Sequence, residues 1–416
     1  MSATLLPPIL RPLRDPALAA LWGGLATSAV GDQLFAVALA WIAVGAFGAA
    51  AGYLTALQAA VVLAAALLGG RWADRRAHFS LMIAADLCRA CVLMGVVAVW
   101  LARSAPPAWT LVVAVVVLAT AEALFEPALQ ASIPVVVAAP EQLPAVNALL
   151  DSTSRIARLL GPGLVAMAAG LLPLVHFVSL DAATFVVSAL ALALIVRRRA
   201  PPRLAPPAPS SALASALRGF AAVRRQPLLF YLLLMTGPLW GAWYVTMFLG
   251  IPLMLAHGGA QVGAYGMVIA SYGSTNLLAT LVVGGMRLPR RPARRMFAGQ
   301  ALVALGTALL AAAALAPLPP GWLVPALCVA AAIGAPGGPL KDVALAVLRQ
   351  TRLPHADQAA ASRAFLACGN LGLLVAFLTA PTVLHRFGAP ATVLLCAVTM
   401  LAIAAVGLLR HRHAEG

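Results

Sequence analysis

Residues 69–76 have the sequence GGRWADRR and connect two long apolar stretches, from the end of 51–72 towards 79–102. Each stretch is long enough to cross about 30 Å of hydrocarbon, which takes about 20 apolar residues in a helix. A helix is suited to this environment because it satisfies its own backbone hydrogen bonds. The segment therefore indicates two membrane spans joined by a short basic connection.

The same alternation of apolar stretches and short connections continues along the chain. The sequence is 62% hydrophobic and only 10% charged, with a mean hydropathy of +0.96. We predict an all-α polytopic membrane protein with 12 transmembrane helices in two six-helix bundles. The predicted helices are 18–46, 51–72, 79–102, 108–135, 146–169, 174–196, 227–256, 262–286, 296–316, 321–349, 358–384 and 390–409.

Basic residues fall in alternate gaps between the predicted spans. The protein has 28 Lys and Arg against 12 Asp and Glu, which gives a formal net charge of +16. One set of connections holds nearly all of the arginines, whereas the opposite connections hold only Arg103 and Arg386. Because basic residues that flank spans stay in the cytoplasm, both termini are predicted to be cytoplasmic, in a bacterial inner membrane. Their placement at helix ends argues against a nucleic-acid partner.

The longest polar segment divides the chain almost evenly. It begins RRRAPPRLAPPAPSS, and its prolines exclude a regular helix there. We predict an N-terminal six-helix bundle over 1–196, a basic, proline-rich cytoplasmic linker over 197–226, and a C-terminal six-helix bundle over 227–416. Two bundles joined in this way are typical of secondary transporters.

Residues 69–76 resemble the G-x-x-x-D-R-x-x-R/G-R/K-R/K signature of the major facilitator superfamily, through Gly70, Asp74 and Arg75. The resemblance implies that this loop latches the two bundles on the cytoplasmic side. Asp86 and Arg89 on the next span are three residues apart, so they can pair on one helix face. We expect these five residues to form a cytoplasmic gate, with a plain internal salt bridge as the alternative for Asp86 and Arg89.

Four other segments indicate a particular branch of this superfamily. They are SAVGDQ at 28–33, FEPA at 125–128, GPG at 161–163 and LDAATF at 180–185. Together they are similar to the bacterial drug and siderophore exporter branch, which includes macrolide efflux pumps and enterobactin-type exporters. The resemblance implies that Gly161, Pro162 and Gly163 form the antiporter kink of the fifth span. A passive kink is the alternative, since proline removes a backbone donor and bends any helix.

Charged side chains inside spans are costly and are therefore candidates for function. Asp32 lies near the middle of the first predicted span with Gln33 beside it. Glu122 and Glu126 are four residues apart, so they share one face of the fourth span. We predict that these side chains couple protons or contact substrate. A fixed, hydrogen-bonded acid is the alternative for Asp32, and a gate role is the alternative for Glu126.

Lys341 and Asp342 follow the sequence GAPGGP at 334–339, where the glycines and prolines predict a hinge or an unwound turn. We include both residues in the proton-coupling or substrate set; a simple pair between them is the alternative. The aromatic residues within 240–244 line a pocket for a bulky amphipathic solute or anchor the span at the membrane surface.

These residues predict a secondary active exporter of amphipathic small molecules, driven by inward proton flow through alternating access. No G-x-x-x-x-G-K-[ST] loop occurs in the sequence, so ATP is not expected as the direct energy source. The expected partners are a small-molecule substrate, protons and the lipid bilayer. The expected state is a monomer with no cofactor and no metal.

The substrate remains open between a hydrophobic drug such as a macrolide and a siderophore. One alternative function is transport of lysophospholipids or other lipids within the same superfamily. A membrane enzyme is an alternative from another class. The scattered single histidines and the lack of an H-E-x-x-H or G-x-S-x-G motif disfavour it.

Overall fold

The computed structural model describes residues 12–68, 78–137, 143–199, 212–286 and 291–411, and all regular structure within these ranges is helical. The predicted gate residues Gly70, Asp74 and Arg75 lie outside them. The helices are α1 Pro16–Phe47, α2 Ala51–Leu68, α3 His78–Arg103, α4 Ala108–Val136, α5 Leu143–Ala168, α6 Leu174–Arg199, α7 Ala212–Arg224, α8 Pro227–Val245, α9 Ile251–His257, α10 Val262–Gly285, α11 Pro292–Leu315, α12 Leu323–Gly334, α13 Gly337–Arg352 and α14 His355–His411.

Nine helical stretches in the described part of the chain are long and apolar enough to cross a membrane. Two of them, Pro16–Ala64 and Ala360–Arg410, contain 49 and 51 residues, which at about 1.5 Å per residue is enough for two crossings each. A 3₁₀ turn over Gly48–Ala50 divides the first, and Gly388 with φ of 77° divides the second. A shorter apolar helix lies over Ile156–Ala168. Together they account for the twelve predicted spans and confirm an all-α polytopic membrane protein.

Of the hinge or unwound turn expected at 334–339, the unwinding is wrong, whereas the hinge stays a prediction. Only Ala335 and Pro336 separate α12 from α13, and both keep right-handed helical backbone angles. Pro339 has no N–H to donate to the carbonyl of Ala335, four residues before it. That carbonyl instead accepts hydrogen bonds from the backbone N–H of Gly338, at 3.2 Å, and from the side-chain amide of Asn276, at 3.0 Å. With its acceptor satisfied, the segment has no need to unwind.

The glycines of this region serve close helix packing. A Cβ on Gly334 would lie 2.9 Å from the Cα of Gly306 on α11. Gly237 on α8 and Gly372 on α14 bring their backbones together in the same way. Small residues that let two backbones approach are typical of contacts between membrane helices, where hydrophobic burial adds little.

A π-helical turn over Thr246–Gly250 joins α8 to α9. In a π-helix the carbonyl of residue i accepts from the N–H of residue i+5. For Met247 that residue is Pro252, which has no N–H. The hydroxyl of Tyr265, on α10, donates to the Met247 carbonyl at 3.0 Å and so satisfies it.

The chain divides into two compact units. The first comprises Met1–Leu39 and Val61–Pro209, and in it α3 packs against α4 and α6. The second comprises Ala40–Ala60 and Ser210–Gly416, and in it α14 packs against α8 and α11. The end of α1 and the start of α2 therefore belong to the second unit.

Residues 40–60 are held in the second unit by close contacts. The ring of Trp41 stacks on that of Tyr265, with centroids 6.4 Å apart. Gly52 packs against the π-helical turn and α14, where an added Cβ would be 3.1 Å from side-chain carbons of both Leu249 and Pro381. A larger residue at this position would push the α2 segment away from them.

Candidate functional site

The first unit contains a group of buried charged side chains. Asp86 on α3 and Asp181 on α6 are fully buried, and Arg89 on α3 is 6% exposed. Arg89 Nη1 lies 3.6 Å from Asp86 Oδ1, so the two form an ion pair without a direct short hydrogen bond. The predicted pairing of Asp86 with Arg89 is therefore confirmed, whereas their role in a gate stays a prediction.

Asp32 on α1 joins this group. The residue is partly exposed, and its carboxylate interacts electrostatically with Arg89, Asp86 and Glu122. Asp181 interacts with both Asp32 and Arg89. Three carboxylates from three helices thus share one guanidinium, an arrangement that we call the acid cluster, formed by Asp32, Asp86, Asp181 and Arg89.

Close packing of α1 on α6 places Asp32 beside Asp181. Gly31 lies against Asp181 and Thr184, and any side chain at that position would overlap theirs. The Thr184 hydroxyl donates to the Asp181 backbone carbonyl at 2.8 Å and lies 3.4 Å from Asp181 Oδ1. The other carboxylate oxygen of Asp181 has no hydrogen-bond partner among the described residues. Asp181 is therefore only partly satisfied by its surroundings.

Arg89 is held between two aromatic rings. Its guanidinium carbon lies 5.1 Å from the ring centroid of Phe125 on α4 and 5.1 Å from that of Phe185 on α6. Cations in this position are attracted to the negative face of each ring. The two rings fix the guanidinium while shielding it from solvent, so its charge acts mainly on the neighbouring carboxylates.

The two glutamates of α4 differ from the buried aspartates. Glu122 and Glu126 are both exposed, and Glu122 contributes negative charge near Asp32. The structure thus brings Glu122 to the edge of the acid cluster. Its coupling role, and that of Glu126, stay predictions.

The predicted kink of the fifth span contacts the other α1 candidate. Pro162 lies inside α5, and Gly161 packs directly onto the Cβ of Gln33. By contrast, nothing lies within 4 Å of a Cβ built on Gly163. The close approach of α5 to α1 therefore depends on Gly161 and not on Gly163.

The second unit presents a different polar surface. Lys341 Nζ lies 3.4 Å from Asp342 Oδ1, which confirms the pair between them. The Lys341 side chain is 23% exposed, whereas that of Asp342 is 70% exposed. Asp342 also interacts electrostatically with the hydroxyl of Tyr272 on α10.

Aromatic side chains lie next to this pair. The rings of Trp243 and Tyr244 meet edge to face at 4.8 Å, and Trp243 lies 5.8 Å from Tyr272. Tyr244 stacks on Phe248 at 5.6 Å and lies 6.4 Å from Trp240. The predicted aromatic residues within 240–244 thus form one continuous group with two further rings.

Sequence reasoning missed that Asp181 lies beside Asp32 and that Tyr272 interacts with Asp342. Only the packing of α1 on α6 brings Asp181 to Asp32. The sequence indicated this packing weakly through Gly31, a residue whose lack of a side chain permits a close helix crossing. Within the described ranges no three His, Cys, Asp or Glu side chains are arranged to hold a metal ion.

Comparison with known structures identifies the architecture. The chain is similar to the POT family transporter PepTSo, with a TM-score of 0.71 and 12% identity over 95% of this chain and 98% of that one. It is similar to the nucleoside transporter NupG, with a TM-score of 0.70 and 13% identity over 94% and 99% of the two chains. A bacterial homologue of the iron transporter ferroportin, in an inward-facing state, gives 0.68 and 16% over 94% and 99%. At such low identities these likenesses show the fold alone.

Sequence comparison then assigns the family. None of the curated proteins matches the chain. The family model described as Major Facilitator Superfamily matches residues 21–377, which is most of the sequence. The chain is therefore a member of the major facilitator superfamily and a multi-pass membrane transporter.

Proposed function

We propose that this transporter is a proton-coupled exporter of amphipathic small molecules, with the acid cluster of the first unit as its proton site. It works by alternating access as a monomer in the bacterial inner membrane, with both termini in the cytoplasm. The observation that supports this is the sharing of one buried guanidinium by Asp32, Asp86 and Asp181.

The charge balance of the acid cluster explains why protons are involved. Three ionised carboxylates beside one arginine would leave two uncompensated negative charges among buried groups, which is strongly unfavourable. Protonation of a carboxylate removes this penalty. Asp32 is the carboxylate of the cluster that retains some exposed surface, whereas Asp86 and Asp181 have none. We therefore assign proton exchange to Asp32.

Export rather than uptake is inferred from the resemblance of the first unit to the drug and siderophore exporter branch. The residues that support this inference lie within the acid cluster or next to it. Asp32 belongs to the SAVGDQ segment, Phe125 to the FEPA segment, and Asp181 and Phe185 to the LDAATF segment. The segments quoted for the resemblance thus supply two carboxylates of the cluster and both rings that enclose Arg89.

Transport by purified protein in proteoliposomes with an acidic lumen tests this proposal. We expect labelled erythromycin or enterobactin to accumulate in exchange for protons, and Asp32→Asn to reduce the accumulation to the level of protein-free liposomes. Those liposomes also correct for passive trapping of weak bases. The matched control is Asp357→Asn, the same chemical change in the first turn of α14.

Accumulation of the solute after the pH gradient is collapsed with nigericin tests whether transport is coupled to protons. Equal accumulation with and without the gradient would refute proton coupling. Accumulation of a fluorescent lysophospholipid, but of neither solute, would instead support the lipid transporter. Unchanged gradient-driven transport by Asp32→Asn would remove Asp32 from the mechanism.

A further inference from the structure

We propose that Asp342 and the aromatic group of the second unit bind the positively charged end of the substrate. The solute class is an amphipathic organic cation, an apolar body that bears an amine or another onium group. This inference rests on the proposed function, because it identifies which of the open substrate classes the exporter takes. It favours an amine-bearing drug over an anionic siderophore.

The exposed charge at this surface is negative. The Asp342 side chain is 70% exposed, three times as much as that of Lys341. In the sequence after residue 210 the only other carboxylates are Asp357 and Glu415, and neither lies in the interior of a predicted span. A carboxylate inside a span has a high energetic cost and is therefore a candidate for function. Asp342 is therefore positioned to meet a cation that arrives from solution.

The aromatic group supplies the second half of a cation site. Trp243, Tyr244 and Tyr272 are each partly accessible. The ring of Trp243 lies between the other two, with centroids 4.8 Å from Tyr244 and 5.8 Å from Tyr272. A Cβ built on Gly338 would lie 3.6 Å from the Tyr272 hydroxyl, and Asp342 is one turn further along the same face of α13, so the carboxylate and the rings are neighbours. Aromatic faces beside a carboxylate are the common means of binding organic ammonium groups. The rings would also accept the apolar part of an amphipathic solute.

The helices that carry the rings are joined by a hydrogen bond. Asn276 on α10, one turn after Tyr272, donates to the Ala335 carbonyl between α12 and α13. Gly338 leaves room for this contact, because a Cβ there would lie 2.9 Å from the Asn276 amide nitrogen. The surface is thus preorganised across α8, α10 and α13, which reduces the entropy lost on binding.

Two cations of the protein compete for Asp342. Lys341 pairs with it at 3.4 Å, and Arg349 interacts with it electrostatically while its guanidinium lies 5.3 Å from the ring centroid of Phe365. Exposed pairs of this kind contribute little to stability, so a ligand can displace them. Lys341 is the only lysine among 28 basic residues, and its flexible stem can move the ammonium aside. It acts as an internal counter-ion that the substrate replaces.

Binding of two probes of nearly equal size and opposite charge tests the inference. They are tetraphenylphosphonium and tetraphenylborate, measured by equilibrium dialysis against purified full-length protein in detergent without any pH gradient. We expect the phosphonium to bind more tightly than the borate. Asp342→Asn is expected to weaken phosphonium binding about tenfold, because it removes the Coulomb attraction between the carboxylate and the cation. Lys341→Gln is expected to strengthen it about threefold by removing the competitor.

The controls separate this inference from a folding defect and from the proposed function. Asp357→Asn should bind the phosphonium as the unaltered protein does, and Trp243→Ala should weaken phosphonium binding. Undiminished binding by folded Trp243→Ala would overturn the role of the rings. Near-native circular dichroism of each variant shows that it is folded. Preference for the borate, loss of binding in Lys341→Gln, or binding by folded Asp342→Asn within twofold of the original affinity would overturn the inference. Gradient-independent transport would refute the proposed function while leaving these affinities unchanged.

Discussion

Replacement of Arg89 by methionine tests whether the acid cluster depends on its single cation. The change removes a guanidinium that pairs with Asp86 at 3.6 Å and stacks on two rings. The methionine side chain still fills most of the volume that the arginine occupied. Removal of one partner from a buried ion pair destabilises by about 3–5 kcal/mol, because the other charge stays buried. Arg89→Met should therefore lower the free energy of unfolding by about this amount.

A double-mutant cycle isolates the part of this loss that belongs to the pair. Asp86→Leu combined with Arg89→Met removes both charges, so the double variant should regain about 1–3 kcal/mol relative to the sum of the single changes. Arg89→Lys keeps the charge but loses the planar stacking, and we expect it to lose only about 1–2 kcal/mol.

The assay is unfolding of the purified protein by dodecyl sulfate in mixed micelles, followed by tryptophan fluorescence. An Arg89→Met variant within about 1 kcal/mol of the original protein would refute the argument, since buried charges without a partner cost more than that. Strict additivity of the two single changes would show that Asp86 and Arg89 are not energetically coupled.

Four further substitutions test other parts of the protein. Gly161→Ala should destabilise the protein and reduce transport, because the added methyl would overlap Gln33, whereas Gly163→Ala should stabilise by about 0.5–1 kcal/mol in the same unfolding assay. Tyr265→Phe should lower the free energy of unfolding by about 1–2 kcal/mol, because it leaves the carbonyl of the π-turn without its donor. Asp74→Ala should slow transport turnover more than it weakens substrate binding, as measured by initial rates against equilibrium binding.

Each of these predictions has its own control or contrary result. Equal effects of the two glycine substitutions would show that α1 does not constrain α5. Tyr53→Phe is the matched control for Tyr265→Phe, because Tyr53 is 49% exposed and should tolerate the change. A collapse of affinity in Asp74→Ala with normal turnover would contradict the latch role.

The spans were predictable from sequence because hydrocarbon thickness fixes the length of each helix. The predicted segment 174–196 corresponds to Leu174–Arg199, and 262–286 corresponds to Val262–Gly285. The state of the break at 334–339 was not predictable in the same way. Glycine and proline indicate weak helix, but the Asn276 amide that compensates for Pro339 comes from a helix more than fifty residues away.

The candidate site was predictable residue by residue but not as an arrangement. Charge in a span singled out Asp32, Lys341 and Asp342, because each is expensive to bury. The enclosure of Arg89 by Phe125 and Phe185 depends on the packing of three helices. Phe125 and Phe185 lie in the FEPA and LDAATF segments, but nothing in the sequence indicated that their rings contact Arg89.

Because the sequence contains a single lysine, Lys341 is a unique site for labelling of a side-chain amine. No other side chain in 416 residues offers an ε-amine, and this one belongs to the pair with Asp342. Acylation by an amine-selective ester would therefore place a spectroscopic reporter at one internal position without any engineered residue. The rate of that acylation would itself rise or fall as the ammonium leaves its carboxylate, which gives a direct readout of occupancy in the native protein.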